Sequence, residues 1–121
     1  MEITGVQVYP VVDQKAVQAS AGPAYASVVK VETDKGISGI GCTGTAPNVI
    51  NSIIDAPTLR DSTLKGGMSK GLKEVIIGKD PRETEKLWDD MYLSSYQYGR
   101  RGIVIHAISA IDMALWDIKG K

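Results

Sequence analysis

Cysteine and histidine are nearly absent from this chain, which contains one of each, Cys42 and His106. A single cysteine excludes an intrachain disulfide and a metal site built on several cysteines, and a single histidine excludes a multi-histidine centre within the chain. Net charge is also lacking, since 14 acidic residues balance 14 basic ones, which argues against a nucleic-acid-binding or polybasic membrane surface. No apolar run approaches the roughly 20 residues that cross a bilayer, and "MEITGVQVYPVV" does not resemble a signal peptide. We therefore expect a cytoplasmic protein whose 121 residues suffice for one domain.

The first third of the chain, about residues 2–44, has the pattern of β-strands. "EITGVQVYPVV" is rich in valine, and its Pro10 suits an edge strand or a bulge. In "AYASVVKVETD" alternate residues fall on opposite faces. Asp34 and Gly36 mark a turn, after which "ISGIGC" returns as a third strand paired with the second. The pattern predicts a three-stranded antiparallel meander with a long loop over residues 13–23.

The remainder of the chain, about residues 48–120, has helical periodicity. In "GKDPRETEKLWDDMYLSS" Asp80 is predicted as the N-cap, Pro81 as the first helical residue and Glu83 as the partner in a capping box. "GRRGIVIHAISAIDMALWDIKGK" predicts a longer final helix that stops at Gly120. "MSKGLKEVIIG" predicts a shorter helix, and "NVINSIIDAP" fits either a helical turn or a loop. A strand meander followed by a helical bundle makes the predicted fold class α+β.

Three glycines, Gly39, Gly41 and Gly44, form a literal G-x-G-x-x-G. A dinucleotide-binding turn with this spacing needs a strand followed by a helix inside a parallel βαβ unit. Here the glycines lie on a strand of an antiparallel meander, and Pro47 falls where it would break the hydrogen bonding of the required helix. Asp61 lies about 20 residues downstream, as the fingerprint requires, but no apolar strand leads up to it. The context favours glycines that permit a bulge or a close backbone approach.

Two titratable residues, His106 and Asp112, lie within the last predicted helix. Neither has a partner at catalytic spacing, so we expect Asp112 to be a structural carboxylate bonded to backbone or to an arginine, and His106 to be a packed or surface residue. Arg100 and Arg101 are predicted at the start of this helix, where its dipole disfavours cations. They are candidates for anchoring a carboxylate across an interface, with a solvated pair as the alternative. The sequence shows no complete catalytic constellation, so we predict no catalytic residue and no metal ligand in this chain.

Five segments in order resemble one known module. They are the meander, "GKDP", "LWDDMY", "YGRRG" and "AISAIDMALWDIKGK". Their order is similar to that of the N-terminal capping domain of the enolase superfamily, in its mandelate racemase and muconate lactonizing enzyme branch. "VVKVETDKGISGIG" resembles the second and third strands of that domain, and the final segment resembles the helix that leads into a C-terminal barrel. The resemblance covers nearly the whole chain, so residues 1–121 are predicted to be one such domain.

The resemblance implies an enzyme whose chemistry lies mostly in a C-terminal (β/α)-barrel that this chain does not include. In such enzymes Mg²⁺ held by barrel carboxylates stabilises an enolate, while barrel lysines or a His-Asp pair move the proton α to a substrate carboxylate. It therefore implies no cofactor bound by this chain and Mg²⁺ bound in the barrel. The implied partners are that barrel, a small acid-sugar carboxylate and further copies in a homo-oligomer. This chain alone would not turn over substrate.

Capping domains of this family close the barrel mouth through two loops, one after the first strand and one after the third, and a closed lid excludes water and selects substrate. Here the loops match "QKAVQASAGPA" and the segment beginning "TGTAPN". The residues predicted to select substrate are Ala19, Ser20, Tyr25, Thr43, Thr45 and Asn48. The residues predicted at an interdomain or oligomer interface are Trp88, Arg100 and Arg101. Two departures from the family are Cys42, where a glutamate is frequent, and a longer segment over residues 46–67.

Several functions remain open from the sequence. "YGRRG" followed by "HAISAID" is most similar to acid-sugar dehydratases, so we predict the capping domain of a dehydratase or a racemase. A muconate-type cycloisomerase cap is an alternative within the same branch. A stand-alone binding or oligomerisation module is another, because an α+β domain with an exposed sheet face can dimerise. A dinucleotide-binding domain, the third hypothesis, predicts measurable NAD binding, and we expect a titration with NAD to show none.

Overall fold

The computed structural model describes residues 1–12, 25–60 and 68–121. Three strands come first in these residues: β1 (Ile3–Val12), β2 (Tyr25–Thr33) and β3 (Ser38–Thr43). They are followed by the helices α1 (Pro47–Ile54), α2 (Leu72–Ile76), α3 (Thr84–Ser95) and α4 (Ile103–Gly120). Between α1 and α2 the chain forms a small antiparallel pair, β4 (Leu59–Arg60) and β5 (Met68–Ser69). The predicted α+β fold, with the sheet first and the helices after it, is confirmed.

The main sheet is an antiparallel meander in the order β1-β2-β3. The central strand alternates as predicted, with Val29 and Val31 buried on one face and Lys30 and Glu32 only half-buried on the other. The hairpin between β2 and β3 turns at Gly36, whose φ of 74° is a left-handed conformation that glycine adopts without steric cost. The sequence pattern therefore predicted both the strands and the turn that joins the last two.

The start of α3 differs from the sequence prediction. Asp80 is not its N-cap, because the Asp80 carboxylate accepts hydrogen bonds from the backbone N–H of Arg82 (2.9 Å) and from its guanidinium (2.6 Å). The N–H of Glu83 in turn donates to the Asp80 carbonyl at 3.2 Å. These bonds close a separate turn, and the helix begins after it, at Thr84, with Glu83 as the N-cap residue and no side-chain cap. The predicted capping box was therefore wrong.

The boundaries of α1 and α4 also differ from those predicted. Pro47 does not prevent a helix after β3, because it is the first residue of α1, where its missing N–H leaves no bond unmade. The ambiguous segment after it is thus helical. α4 begins at Ile103 and not at the arginine pair, since Gly102 precedes it with a φ of 72° that ends the connection from α3. At the other end the helix stops at Gly120, as predicted.

The hydrophobic core lies between the inner face of the sheet and the helices. α4 crosses β3 and β2, while α1 packs against both α4 and β1. Every helix contributes fully buried side chains, among them Ile50, Ile54, Leu72, Ile76, Leu87, Met91, Ile108, Ile111 and Leu115. None of the helices in the described ranges is long and apolar enough to span a membrane. The consequence for function is that α4 lies directly behind the strand that leads into the predicted substrate loop.

Candidate functional site at the end of the third strand

Gly39 and Gly41 are packing residues, because the backbone of α4 lies against them. A Cβ added at Gly39 would overlap the carbonyl oxygen of Ala114 and lie 2.9 Å from its carbonyl carbon. A Cβ at Gly41 would overlap the carbonyl oxygen of Ala110 and lie 2.8 Å from its carbonyl carbon. Gly44 has open space around it, since a methyl group added there would have nothing within 4 Å. The predicted close backbone approach is confirmed for the first two glycines, and the group that approaches them is the backbone of α4.

The outer edge of β3 is tied to the last turn of α4 by polar contacts. The backbone N–H of Ile40 donates to the Asp117 carboxylate at 2.9 Å. Lys121 donates to the same carboxylate at 3.0 Å and to the Ser38 carbonyl at 2.7 Å. The bond from Lys121 and then the bond from Ile40 lower the pKa of Asp117, because both favour its charged form. Together with the glycine contacts, these bonds fix β3 against α4 and so fix the position at which the strand ends.

The end of β3 and the turn that follows it, residues 43–46, are held by two side chains from other elements. The hydroxyl of the buried Ser27 on β2 donates to the Thr45 carbonyl at 2.6 Å. The Thr45 hydroxyl lies 2.6 Å from Nδ1 of His106, which is on α4. The carbonyl of Ala46 then accepts from the N–H groups of Val49 and Ile50, both at 3.1 Å, and so starts α1. Hydrogen bonds to β2, α4 and α1 therefore fix the backbone conformation of the turn.

Those of the predicted substrate-selecting residues that the structure describes lie at one end of the sheet. Strand register pairs Val12 with Tyr25 and Ser27 with Thr43, so Tyr25 and Thr43 stand close to where the strands end. Tyr25 is 44% exposed, Thr43 and Thr45 are half-buried, and Asn48 is exposed in the first turn of α1. Ala19 and Ser20 lie outside the described residues. We call this end of the domain, from which both predicted loops leave, the loop end.

His106 is the residue of this site that the sequence did not reveal. The expectation of a packed or surface histidine describes its exposure, but not its contact with Thr45. Ala110 and Ala114 contact alternate glycines of β3, and four helical residues rise about as far as two strand residues. His106 precedes Ala110 by the same interval, so it falls beside the end of the strand. That spacing could have located it once the glycine contacts were known.

The predicted interface arginines form the rim of a shallow depression between α3 and α4. The depression has a volume of ≈ 480 Å³ and is lined by Tyr96, Gln97, Tyr98, Gly99, Arg100 and Arg101. The Arg100 guanidinium lies 4.6 Å from the centre of the Tyr96 ring, a distance at which a cation is attracted to the ring face. Within the described ranges neither arginine forms an ion pair with a carboxylate. The pair precedes the N-cap residue Gly102, so it lies just before the first turn of α4 and not within it.

Trp88 and Asp112 line a second groove, between α3 and α4. Trp88 stacks on Tyr92 with ring centres 5.2 Å apart and packs against the core. The groove, ≈ 320 Å³ in volume, also contains Trp116 and three further residues of α3, Thr84, Glu85 and Asp89. No residue in the described part of the chain hydrogen-bonds the Asp112 carboxylate, so the predicted bond to backbone or arginine is not found there. Burial raises the pKa of Asp112.

Metal-binding groups do not converge in the described parts of the chain. Residues 1–12, 25–60 and 68–121 contain no cluster of three or more His, Cys, Asp or Glu side chains that could hold an ion. Cys42 is exposed on the outer face of the sheet. The described residues therefore do not fit a Mg²⁺ site of their own.

Residues 3–121 match the family described as the mandelate racemase / muconate lactonizing enzyme N-terminal domain. The chain belongs to this family. A D-galactonate dehydratase from Variovorax paradoxus is 40% identical over 93 residues, which are 77% of this chain and 21% of that enzyme. This mandelate racemase-type N-terminal domain also superposes on the crystal structure of the 3,6-anhydro-D-galactonate cycloisomerase from Zobellia galactanivorans. That match has a TM-score of 0.75 and 30% identity, and it covers 99% of this chain and 28% of the other.

A further solved relative of this N-terminal domain is a racemase from Streptomyces coelicolor with bound magnesium. Its TM-score is 0.71 and its identity 25%, over 98% of this chain and 30% of the racemase. The chain thus spans less than a third of the length of each of these three relatives. Family membership and fold are established by these matches, as the resemblance predicted.

Proposed function

We propose that this chain is the active-site-closing domain of a Mg²⁺-dependent acid-sugar dehydratase. The observation that carries the proposal is that both predicted substrate loops leave the sheet at the loop end. β1 ends and β2 begins there in register, Val12 opposite Tyr25, and β3 ends there at Thr43. A single domain movement would then bring both loops onto a substrate together. The similarity to a D-galactonate dehydratase over 93 residues supports the choice of reaction.

The chemistry at the loop end suits a polyhydroxylated carboxylate. Thr43 and Tyr25 offer hydroxyls and Asn48 an amide, groups that can both donate and accept hydrogen bonds with sugar hydroxyls. The proton α to the carboxylate would be removed in the barrel, where Mg²⁺ would stabilise the enolate. The role of this chain is to exclude water from that site and to discriminate among substrates. Arg100 and Arg101 are proposed to contact the barrel or a second subunit.

The test uses the full-length protein that carries this chain, with Mg²⁺, against aldonic acids such as galactonate, rhamnonate and arabinonate. We expect at least one to lose water and give a 2-keto-3-deoxy acid. Replacing a single substrate-contacting group, as in Asn48→Ala, should lower kcat/KM by about 2- to 10-fold, the range for one neutral hydrogen bond. Lys35→Ala is the matched control, because Lys35 is exposed in the hairpin turn at the opposite end of the sheet. Absence of turnover with every aldonate, or equal effects of the two substitutions, would contradict the proposal.

A cycloisomerase is the second candidate, because the fold matches a 3,6-anhydro-D-galactonate cycloisomerase over 99% of this chain. Cycloisomerisation preserves the composition of the substrate, whereas dehydration removes one water. Mass spectrometry of the products therefore separates the two reactions. A product with the same mass as its substrate, and not one lighter by one water, would favour the cycloisomerase.

A further inference from the structure

Thr45 is the point at which the turn after β3 is attached to the rest of the domain. Its carbonyl accepts from Ser27 on β2 and its hydroxyl contacts His106 on α4, both at 2.6 Å. Its neighbour Gly44 is exposed, with open space around its α-carbon. Ser27 holds the backbone of the turn through the Thr45 carbonyl. His106 holds the Thr45 side chain through its hydroxyl.

His106 is well placed to act as a fixed support. Its N–H donates to the Gly102 carbonyl at 3.0 Å, which places it in the first turn of α4. The next residues on the same side of the helix, Ala110 and Ala114, are fully buried against the glycines of β3. The helix can neither slide nor rotate there without backbone overlap. The backbone of His106 is therefore anchored by the packing of a whole helix, and its exposed ring reaches from that fixed backbone to Thr45.

The contact between the two side chains is compatible with either tautomer of the imidazole. An unprotonated Nδ1 accepts from the Thr45 hydroxyl, and a protonated Nδ1 donates to the hydroxyl oxygen. In both cases Nδ1 is occupied by Thr45. In either tautomer, His106 therefore binds the turn through Nδ1.

We propose that His106 is a positioning residue that fixes residues 43–46 through Thr45. It would thereby set where Thr43 and Asn48 stand when the domain closes, an inference that rests on the proposed function only for its effect on substrate. Without the contact, the turn would keep its attachment to Ser27, but the first hydrogen bonds of α1 would open more often and the side chains of the turn would sample several positions. Loss of this order weakens binding, because the turn must then be ordered by the substrate.

The first test does not depend on activity. Hydrogen–deuterium exchange in the full-length protein is measured at the amides of Val49 and Ile50, whose N–H groups bond to the end of the turn. His106→Leu and Thr45→Val should each speed this exchange by about 3- to 10-fold, the equivalent of one neutral hydrogen bond, while the amides of β2 keep their rates. The double variant should be no faster than either single variant, because both remove the same contact. Unchanged exchange in the Thr45→Val variant, which keeps the shape of threonine, would overturn the proposal even if His106→Leu failed to fold.

The second test separates positioning from general support of the fold. His106→Asn keeps a polar group near the position of Nδ1 and should restore most of the wild-type KM, whereas His106→Gln places its amide near the position of Nε2 and should not. Both variants should leave kcat close to its wild-type value, and His106→Leu should raise KM about 3- to 10-fold. If the enzyme dehydrates acid sugars but all three variants share the wild-type KM, the effect on substrate is refuted. If no acid sugar is turned over, the proposed function fails and the exchange measurement alone decides whether His106 holds the turn.

Discussion

Replacing Gly41 with alanine should destabilise this domain far more than the addition of one methyl group suggests. The added methyl group would overlap the carbonyl oxygen of Ala110, and it would lie 2.8 Å from the carbonyl carbon of that residue and 3.0 Å from Cβ of Met113. Two of these atoms belong to the helix backbone and the third is bonded directly to it. None can move aside by a side-chain rotation, so α4 must shift away from β3 as a unit.

The cost of that shift follows from the packing of the helix. Overpacking a well-packed core costs about 1–3 kcal/mol and occasionally more, and a gap of about 1 Å forfeits a quarter to a half of the dispersion attraction between the separated surfaces. Alanine recovers about 0.4–1 kcal/mol by restricting the unfolded chain. We therefore expect a net loss of about 2–4 kcal/mol in the free energy of unfolding, out of roughly 5–15 kcal/mol for a typical domain.

Urea denaturation followed by circular dichroism would measure this loss. With a slope of about 2 kcal/mol per molar urea, in the middle of the usual range, the midpoint should fall by roughly 1–2 M. Gly44→Ala is the matched control and should change stability by no more than about 0.5 kcal/mol, because nothing lies within 4 Å of its added methyl. Ala110→Gly should not rescue Gly41→Ala, since the obstructing oxygen is present in every residue type. A rescue by Ala110→Gly, or equal effects at Gly41 and Gly44, would refute this explanation of the glycine spacing.

Two further predictions concern carboxylates of α4. Burial raises the pKa of Asp112 above 3.8, so the folded state loses stability as the pH rises from 3.8 through the raised pKa. Asp112→Asn should therefore increase the urea midpoint at pH 7 and abolish this pH dependence. For Asp117 the sign is opposite, because the bonds from Lys121 and from the N–H of Ile40 lower its pKa below 3.8. The stability that ionised Asp117 contributes is fully present above pH 3.8 and is lost as the pH falls through its lowered pKa. Asp117→Asn should therefore have a lower urea midpoint than the wild type at pH 7 and the same midpoint in strong acid. Equal midpoints at pH 7 would contradict this.

The fold could be predicted from the sequence because its signals are local. Alternation in β2, the Asp34-to-Gly36 turn and the helical spacing of the last segment each involve residues close in the chain. Helix starts were harder, since Asp80 has two uses for its carboxylate: it could cap a helix, but it closes a turn with Arg82 instead. Both uses satisfy a backbone N–H, and the sequence does not state which one the chain adopts.

The candidate site could be predicted only in part, because its contacts join distant residues. Family resemblance placed Thr45 on a substrate loop, but the partner of its hydroxyl is 61 positions away along the chain. The glycines of β3 posed the same difficulty: their spacing indicated that something approaches closely, and only the docked helix shows that Ala110 and Ala114 do. Such pairings depend on how α4 lies across the sheet, which the periodicity of either element does not specify.

The polar contacts at the two sides of the sheet have a consequence for assembly. On β1 the N–H and carbonyl of Ile3 are bonded to Lys79 and Gly78 of the same chain, both at 2.9 Å, while on β3 the outward N–H of Ile40 is occupied by Asp117. A strand from another molecule would find these edge positions already taken, and unprotected edges are where sheets of separate molecules join and aggregate. The Asp117 side chain that holds β3 against its helix thus also discourages strand addition at this position of the sheet edge.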